Sequence, residues 1–332
     1  MTVASSPSLS EHVQAIAAGA HVTGLAWLGT KAAFALGDGH VLLTDGGEET
    51  RVPTHPGGSA LVAAGAGDVL VTGGDDGRIV ATAADGSTSE RGEEKGRWID
   101  AVAVGRDGAI AWSAGKTVRA RDGKGQLRSF TAPTTAQGLA FLPKGYRLAV
   151  AHYNGVSLWF PNTDATPDVL AWKGSHIGVT VSPDGSYIVT AMQENSLHGW
   201  RLADRKDMRM SGYPGKTRSL AWSHDGQWLA TSGADAAIIW PFDKQGPMGR
   251  APRECGVRTS RVARVAFHPK AYVLAAAYDD GMVLLIRLTD ASELPVRQAT
   301  GKPVTALAWD ASGRRLAFGD AEGDAGILTL PT

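Results

Sequence analysis

The sequence is poor in the features that mark secreted, membrane-spanning and metal-stapled proteins. It has one cysteine, Cys255, in 332 residues, so it cannot form an internal disulfide or a zinc site built from three or four thiolates. The N-terminus has no basic stretch followed by an apolar run, and no segment approaches the roughly 20 apolar residues that span a bilayer. A reducing cytoplasm is the simplest location for such a chain.

The chain also lacks an excess of charge of either sign. Lys and Arg total 33 and Asp and Glu total 33, so the formal net charge is zero with neutral histidines. Since affinity for nucleic acid comes largely from neutralising phosphates with an excess of basic residues, this balance argues against a nucleic-acid-binding protein. Charged residues make up only 20% and hydrophobic residues 43%, which is a composition that can build a core.

What the sequence has in abundance is glycine, with 42 residues, and an internal repeat. A short apolar strand, a turn and a second apolar strand recur eight times, about every 40 residues. Small and large residues alternate in its LAW, LAF and VTV segments, as they do in strands. A length prior of about 150 residues per domain suggests two domains, but a repeat along the whole chain predicts one. The units begin at Gly24, Ala60, Ala101, Gly138, Gly178, Ser219, Arg264 and Ala306.

The turns of the repeat are rich in Asp and Gly. The first turn of a unit reads SPDG at 182–185 and SHDG at 223–226. The Asp side chain closes onto the backbone and Gly supplies a positive φ, so these segments predict hairpins. A second turn, such as 75–77 or 279–281, leads into a third strand, and a looser fourth segment completes each unit.

Four short antiparallel strands at this period predict an all-β fold, a β-propeller. The chain resembles the WD-repeat family, as a divergent member of bacterial type, over nearly its whole length. The residues that carry the resemblance are the SPDG and SHDG turns, the LAW and LAF strands, Trp159, Trp200 and Trp240 at the ends of third strands, and 174–176 (GSH) before the fifth unit. The resemblance implies one domain, residues 1–332, of four-stranded antiparallel blades. We predict eight blades, with seven as the alternative because the second unit is rich in Gly and Ala.

Two further expectations concern the ring. The eighth unit ends at its third strand, 326–330, so we expect the N-terminal segment 12–20 to supply the missing fourth strand and close the ring. Such a closure covers two open strand edges. No unit ends in the Trp-Asp dipeptide of the family, so the family's buried His–Ser/Thr–Trp–Asp network is not implied here.

Two motifs imitate active-site sequences, and we interpret both as structural. Residues 223–225 (SHD) have the types of a catalytic triad, but neighbours in a tight turn cannot converge on one another. Residues 215–217 (GKT) match the end of a phosphate-binding loop, but Met210 replaces its first glycine and a strand follows instead of a helix. None of the nine histidines has helical metal-ligand spacing, and His21 and His176 stand where WD-repeat proteins place a structural histidine.

Acidic residues recur in the second turns. We interpret them as turn-stabilising, since the family's turn Asp accepts hydrogen bonds from backbone amides. The alternative is a ring of carboxylates at the mouth of the central channel that holds Ca²⁺. These residues are Asp38, Asp76, Asp235, Asp280 and Glu322.

The candidate binding surface is formed by basic and aromatic residues that break the repeat. They lie mostly in the lead-in segments before the first strands, which in a propeller share a face with the second turns; we call this the top face. Arg, Tyr and Trp are the types enriched at binding hot spots, and Tyr213 lies nearby. The candidates are Arg97, Trp98, Tyr153, Trp172, Lys173, Lys216, Arg218, Arg258, Arg261, Tyr278 and Lys302.

We therefore predict a non-enzymatic, monomeric scaffold of the cytoplasm that binds a protein or peptide on its top face. No cofactor, nucleic acid or membrane is part of this prediction. The alternative is a metal-dependent propeller hydrolase with an ion in the central channel. A sensor that binds a small ligand at the channel mouth is a third hypothesis, because a fold alone does not fix a function.

Overall fold

The computed structural model describes residues 8–243 and 246–331. Within these ranges helical structure is confined to two short 3₁₀ turns, Ser10–His12 and Arg106–Gly108. Among the described residues, no helix is long and apolar enough to cross a membrane. The prediction of an all-β fold is confirmed.

The strands of the first three units follow one another closely. In chain order, with the N-terminal strand first, they are β1 (Val13–Ala17), β2 (Val22–Leu28), β3 (Lys31–Leu36), β4 (His40–Thr44), β5 (Glu49–Pro53), β6 (Ala60–Ala66), β7 (Val69–Gly74), β8 (Arg78–Ala83), β9 (Thr88–Glu93), β10 (Ala101–Val104), β11 (Ile110–Ala114), β12 (Thr117–Arg121) and β13 (Leu127–Thr131).

The remaining units contain two unusually long strands, β15 and β16. In chain order these strands are β14 (Gly138–Phe141), β15 (Leu148–Trp159), β16 (Asp168–Val181), β17 (Tyr187–Met192), β18 (Ser196–Arg201), β19 (Asp207–Met210), β20 (Leu220–Trp222), β21 (Trp228–Thr231), β22 (Ala237–Pro241), β23 (Arg253–Cys255), β24 (Val262–Phe267), β25 (Val273–Tyr278), β26 (Val283–Arg287), β27 (Glu293–Arg297), β28 (Val304–Trp309), β29 (Arg315–Asp320) and β30 (Asp324–Thr329).

The described strands form seven antiparallel sheets. Five have four strands in chain order: β2–β5, β6–β9, β10–β13, β20–β23 and β24–β27. A sixth has the order β1-β30-β29-β28, and the last has six strands, β14 to β19. The prediction of a propeller with four-stranded antiparallel blades is confirmed. The predicted count of eight blades is wrong, because the structure has seven separate sheets.

The count differs because the fourth and fifth sequence units share one continuous sheet. β16 is 14 residues long and pairs with β15 through Asp168–Ser175 and with β17 through His176–Val181. It therefore serves both as the outer strand of one unit and as the inner strand of the next. β15 likewise runs through the expected turn at Asn154 and Gly155, where φ is 71° and 145°. The second unit, which suggested the seven-blade alternative, forms a complete sheet of its own.

The N-terminal strand closes the ring, as the sequence predicts. β1 pairs antiparallel with β30 from Val13 opposite Leu328 to Ala17 opposite Asp324. Ile16 is buried in the same core cluster as residues of β3 and β29. The closing sheet thus joins the two ends of the chain and leaves neither β1 nor β30 without a partner.

The first strands of the units meet around the central axis, β14 and β16 included, and tryptophans link them. The indole Nε1 of Trp27 donates to the carbonyl of Ala308 at 3.0 Å, across the closure. Trp309 donates to Ala266 at 3.2 Å in the preceding sheet. The aromatic positions that define the repeat in sequence are therefore contacts between neighbouring sheets.

Small residues let these inner strands approach closely. A Cβ on Gly138 would lie 2.9 Å from the Cα of Gly178 in the next inner strand, and one on Gly24 would lie 2.6 Å from the Cβ of Ala63. This is why small residues alternate with large ones in the LAW and LAF segments: one side of each strand faces a neighbouring strand.

Candidate functional site

The lead-in segments and the second turns share one face, as expected. The backbone amide of Gly37, in a second turn, donates to the carbonyl of His21, in a lead-in segment, at 2.8 Å. In the seventh unit the backbone amide of Asp279, in the second turn, donates in the same way to the carbonyl of Arg261, in the lead-in segment, at 2.9 Å. The top face is therefore a continuous hydrogen-bonded surface around the start of the inner strands.

Three of the five predicted carboxylates of the second turns stabilise their turns. Asp38, Asp76 and Asp280 each accept a hydrogen bond from the backbone amide two residues later, at 2.9–3.2 Å. In the eighth unit Asp320, not Glu322, has this role and accepts from two amides at 2.9 and 3.0 Å. Among the described residues there is no group of three or more His, Cys, Asp or Glu placed to hold a metal ion.

Part of the family's buried network is present in the second unit. His55 is fully buried, with Nδ1 3.0 Å from Asp76 and Nε2 2.9 Å from the hydroxyl of Thr72. Burial lowers the pKa of His55, and the charge of Asp76 opposes this shift. His21, the other predicted structural histidine, is exposed. His176 is buried as expected, with Nδ1 2.8 Å from Thr190.

Both motifs that imitate active sites are structural, as the sequence predicts. Ser223 donates to Asp225 at 2.7 Å and accepts from the amide of Trp228, which closes the hairpin turn. Thr217 is buried and donates to the carbonyl of Ser232 at 3.0 Å, and strand β20 follows. Burial raises the pKa of the thiol of Cys255, so it is not an activated nucleophile.

Most of the predicted binding residues reach the surface. Trp98 is 70% exposed and Tyr153 is 48% exposed, both unusual values for such large side chains. The other exposed candidates are basic: Arg97, Lys173, Lys216, Arg218 and Arg261.

Four predicted residues are engaged within the protein. Trp172 stacks on the ring of His198 with centroids 3.8 Å apart, Arg258 pairs with Glu293, and Lys302 pairs with Asp324 at 2.7 Å. Tyr278 is fully buried and donates its hydroxyl to the carbonyl of Gly256, so it cannot touch a partner and leaves the candidate set. Tyr213 is buried as well.

Three of the exposed basic candidates line one pocket. A cavity of about 460 Å³ opens where the inner strands β20, β24 and β28 begin, and Lys216, Arg218 and Arg261 line it. The buried hydroxyl of Ser232 accepts hydrogen bonds from the backbone amides of Arg218 and Ser219 at 3.1 and 3.0 Å, which fixes this lead-in segment. We call this cavity the basic pocket.

A fourth basic residue of the pocket, Arg264, was not among the residues predicted from the sequence. Its Nε donates to the carbonyl of Thr305 at 2.7 Å, in the neighbouring inner strand. The sequence does contain a signal for Arg264. The first residue of the repeat unit is glycine in several units and Ser219 in the sixth, whereas in the seventh unit it is Arg264. Burial first, and the charge of Arg218 second, lower the pKa of Arg264, while Asp279 opposes the shift.

Comparisons with known proteins agree with this architecture. The family model "WD domain, G-beta repeat" matches residues 208–240. Telomerase protein component 1 of Mus musculus is 25% identical over 196 residues, which are 56% of this chain and only 7% of that protein. The crystal structure of the computationally designed Ika8 protein aligns with a TM-score of 0.77, over 94% of this chain and 97% of that chain. At 16% sequence identity, this likeness concerns the fold alone.

The chain is thus a β-propeller, by its antiparallel sheets and by the contacts between their first strands around the ring. More narrowly, the matched repeat in the sixth unit and the 25% identical relative support a relationship to the WD-repeat family.

Proposed function

We propose that this protein is a non-enzymatic scaffold that binds a protein or peptide partner on its top face, as a monomer in the cytoplasm. The observation that supports this most is the set of exposed basic and aromatic side chains on that face. Trp98 is 70% exposed, and Arg218 and Arg261 have no carboxylate within 4.0 Å among the described residues. Desolvating such aromatic and guanidinium groups against a partner is how binding hot spots gain their energy.

The proposal fits the electrostatics of a neutral chain. Its 33 basic and 33 acidic residues cancel overall, but many carboxylates on the top face accept turn hydrogen bonds. The basic side chains of the lead-in segments then provide local positive potential. Such a pattern steers an acidic partner without making the whole protein a polyanion binder.

Quantitative capture of partners from the source cell tests this function. The wild type is compared with a triple variant, Arg97→Glu, Arg218→Glu and Arg261→Glu, which reverses charge on the top face alone. The matched control reverses Arg106, Lys144 and Lys270, which are exposed in the first turns at the opposite ends of the strands. We expect specific partners to be lost from the first variant and kept by the control. Equal recovery of every partner by the top-face variant would reject the site.

A further inference from the structure

The basic pocket has the position and size of a ligand site. It lies where three successive inner strands begin, at the rim of the central opening of the ring. Its volume of about 460 Å³ is within the roughly 300–1,000 Å³ typical of small-molecule sites. A ligand there would touch three units at once.

The charge of the pocket is one-sided. Four cationic side chains line it, those of Lys216, Arg218, Arg261 and Arg264, against the single carboxylate of Asp279 among the described lining residues. None of the four has a carboxylate oxygen within 4.0 Å in the part of the chain that the structure describes. Other arginines of the chain are paired with carboxylates, among them Arg51, Arg78, Arg119, Arg258, Arg297 and Arg315.

The guanidinium of Arg264 is fixed rather than mobile. Its Nε donates to Thr305 at 2.7 Å and its Nη1 donates to the carbonyl of Ala263 at 3.0 Å. A guanidinium carries five N–H donors, so the remaining ones are available to a ligand. Burial first, and the neighbouring charge of Arg218 second, lower the pKa of Arg264, and a bound anion would offset the repulsion between the two guanidinium groups.

The backbone makes room for a second guanidinium. A Cβ on Gly215 would lie 2.8 Å from Nη1 and 2.9 Å from Cζ of Arg261, so the absence of a side chain at Gly215 lets Arg261 lie against the lead-in segment. Gly215 itself is held by a hydrogen bond from its amide to the carbonyl of Gly233 at 3.1 Å. The pocket is therefore built by particular residues of several segments.

We propose that the basic pocket binds a phosphate monoester dianion. A phosphate monoester has three terminal oxygens and two negative charges, so it can accept from several guanidinium and ammonium groups that converge from different strands. A single carboxylate is fully engaged by one guanidinium. The ester is either that of a small phosphorylated compound or that of a phosphorylated side chain, and the same oxygens are recognised in both.

Calorimetric titration of the full chain tests this proposal. The probes are inorganic phosphate, O-phosphoserine, a short phosphoserine peptide and its unphosphorylated form, all at constant ionic strength. We expect saturable binding of the phosphorylated probes, with one ligand per chain, and none of the unphosphorylated peptide. Tighter binding of the phosphopeptide than of O-phosphoserine would assign the source to a modified partner; equal binding would assign it to a small ester.

Variants locate the site. Arg218→Gln and Arg261→Gln are each expected to weaken binding about tenfold or more, because each removes a charge-assisted hydrogen bond. Gly215→Ala is expected to weaken it too although no charge is lost, since the new methyl displaces Arg261. The control is Arg314→Gln, an exposed residue of a first turn on the opposite face.

Three results would overturn the proposal: no saturable binding of any phosphorylated probe, wild-type affinity in both pocket variants, or tighter binding of a single-stranded oligonucleotide than of every monoester. The thermal midpoint of each variant confirms that it is folded. Failure here leaves the scaffold proposal standing, because that proposal is judged by partner capture and by variants that include Arg97.

Discussion

The indole Nε1 of Trp240 donates a hydrogen bond to the hydroxyl of Tyr213 at 2.6 Å beside the β20–β23 sheet. That hydroxyl lies 2.7 Å from Thr231, which in turn donates to the carbonyl of Ile238 at 3.1 Å. The tyrosine hydroxyl thus joins the tryptophan of β22 to the threonine of β21, because it can accept from the indole and donate to the threonine at once.

Tyr213→Phe is expected to reduce the free energy of unfolding by about 1–3 kcal/mol, because it leaves the buried indole N–H of Trp240 without an acceptor. Denaturant unfolding measures the difference. Tyr146→Phe is the matched control, since the Tyr146 hydroxyl is buried without a hydrogen-bond partner in the described structure. Removing that hydroxyl should be neutral or stabilising. Equal losses in both variants would show that the ring of hydrogen bonds around Tyr213 contributes nothing.

Deleting residues 1–20 is expected to lower the thermal midpoint by about 5–10 °C, because it removes the buried Ile16 and leaves β30 with an open edge. The exposed edge should also cause association that grows with protein concentration. Scanning calorimetry and light scattering check both effects. Deleting residues 1–7 alone, which leaves β1 intact, is the control. An unchanged midpoint in the longer deletion would contradict closure by β1.

His198 is expected to destabilise the fold in acid. Burial lowers its pKa to about 4, while Asp207 opposes the shift and the nearby charges of His176 and Arg209 add to it. The folded state therefore binds fewer protons than the unfolded state between pH 6.5 and 4, and the free energy of unfolding falls as the pH falls through this window. The loss attributable to this residue is on the order of 2–3 kcal/mol near pH 4.

His198→Phe keeps a ring between Trp172 and Trp200 and removes the titration. Unfolding free energies of the two proteins are compared at several pH values. The variant should lose less stability than the wild type on acidification. His224→Phe, at an exposed turn position, is the control. Parallel pH curves for wild type and His198→Phe would show that His198 is not responsible.

Elemental analysis of the purified protein separates the scaffold from the metal-dependent hydrolase. The turn carboxylates Asp38, Asp76 and Asp280 are engaged with backbone amides, so we expect no stoichiometric divalent ion. Treatment with a chelator should leave the thermal midpoint unchanged. One equivalent of bound calcium, with a midpoint that drops on chelation, would favour the hydrolase instead.

The sequence predicts the features that depend on local chemistry. Asp and Gly at 182–185 and 223–226 favour tight hairpins wherever they occur, and the missing last strand requires a partner such as β1. The burial of Tyr278 was not predictable in this way, because exposed and buried tyrosines look alike until a carbonyl such as that of Gly256 is placed beside the hydroxyl. The shared sheet of the fourth and fifth units could not be predicted either. β16 continues through residues 174–175 (GS), which are residue types that usually form turns.

The basic pocket, too, could be predicted only in part from the sequence. Lys216, Arg218 and Arg261 could be identified as departures from the repeat, but not as neighbours. Arg264 lies within a strand, where a basic residue is usually assigned to an outer surface. The four residues form one site because the segment before β20 packs beside β24, and the carbonyl of Thr305 in β28 holds Arg264 there.

Hydrogen exchange on the captured complex tests the central claim, that the top face is the binding surface, most directly. Backbone amide exchange is compared between the free protein and the isolated complex. We predict slower exchange in the lead-in segments 215–219, 258–264 and 302–305, with no change in the first turns 182–186 and 223–227. Protection confined to those first turns, with the lead-in segments exchanging as in the free protein, would contradict the account.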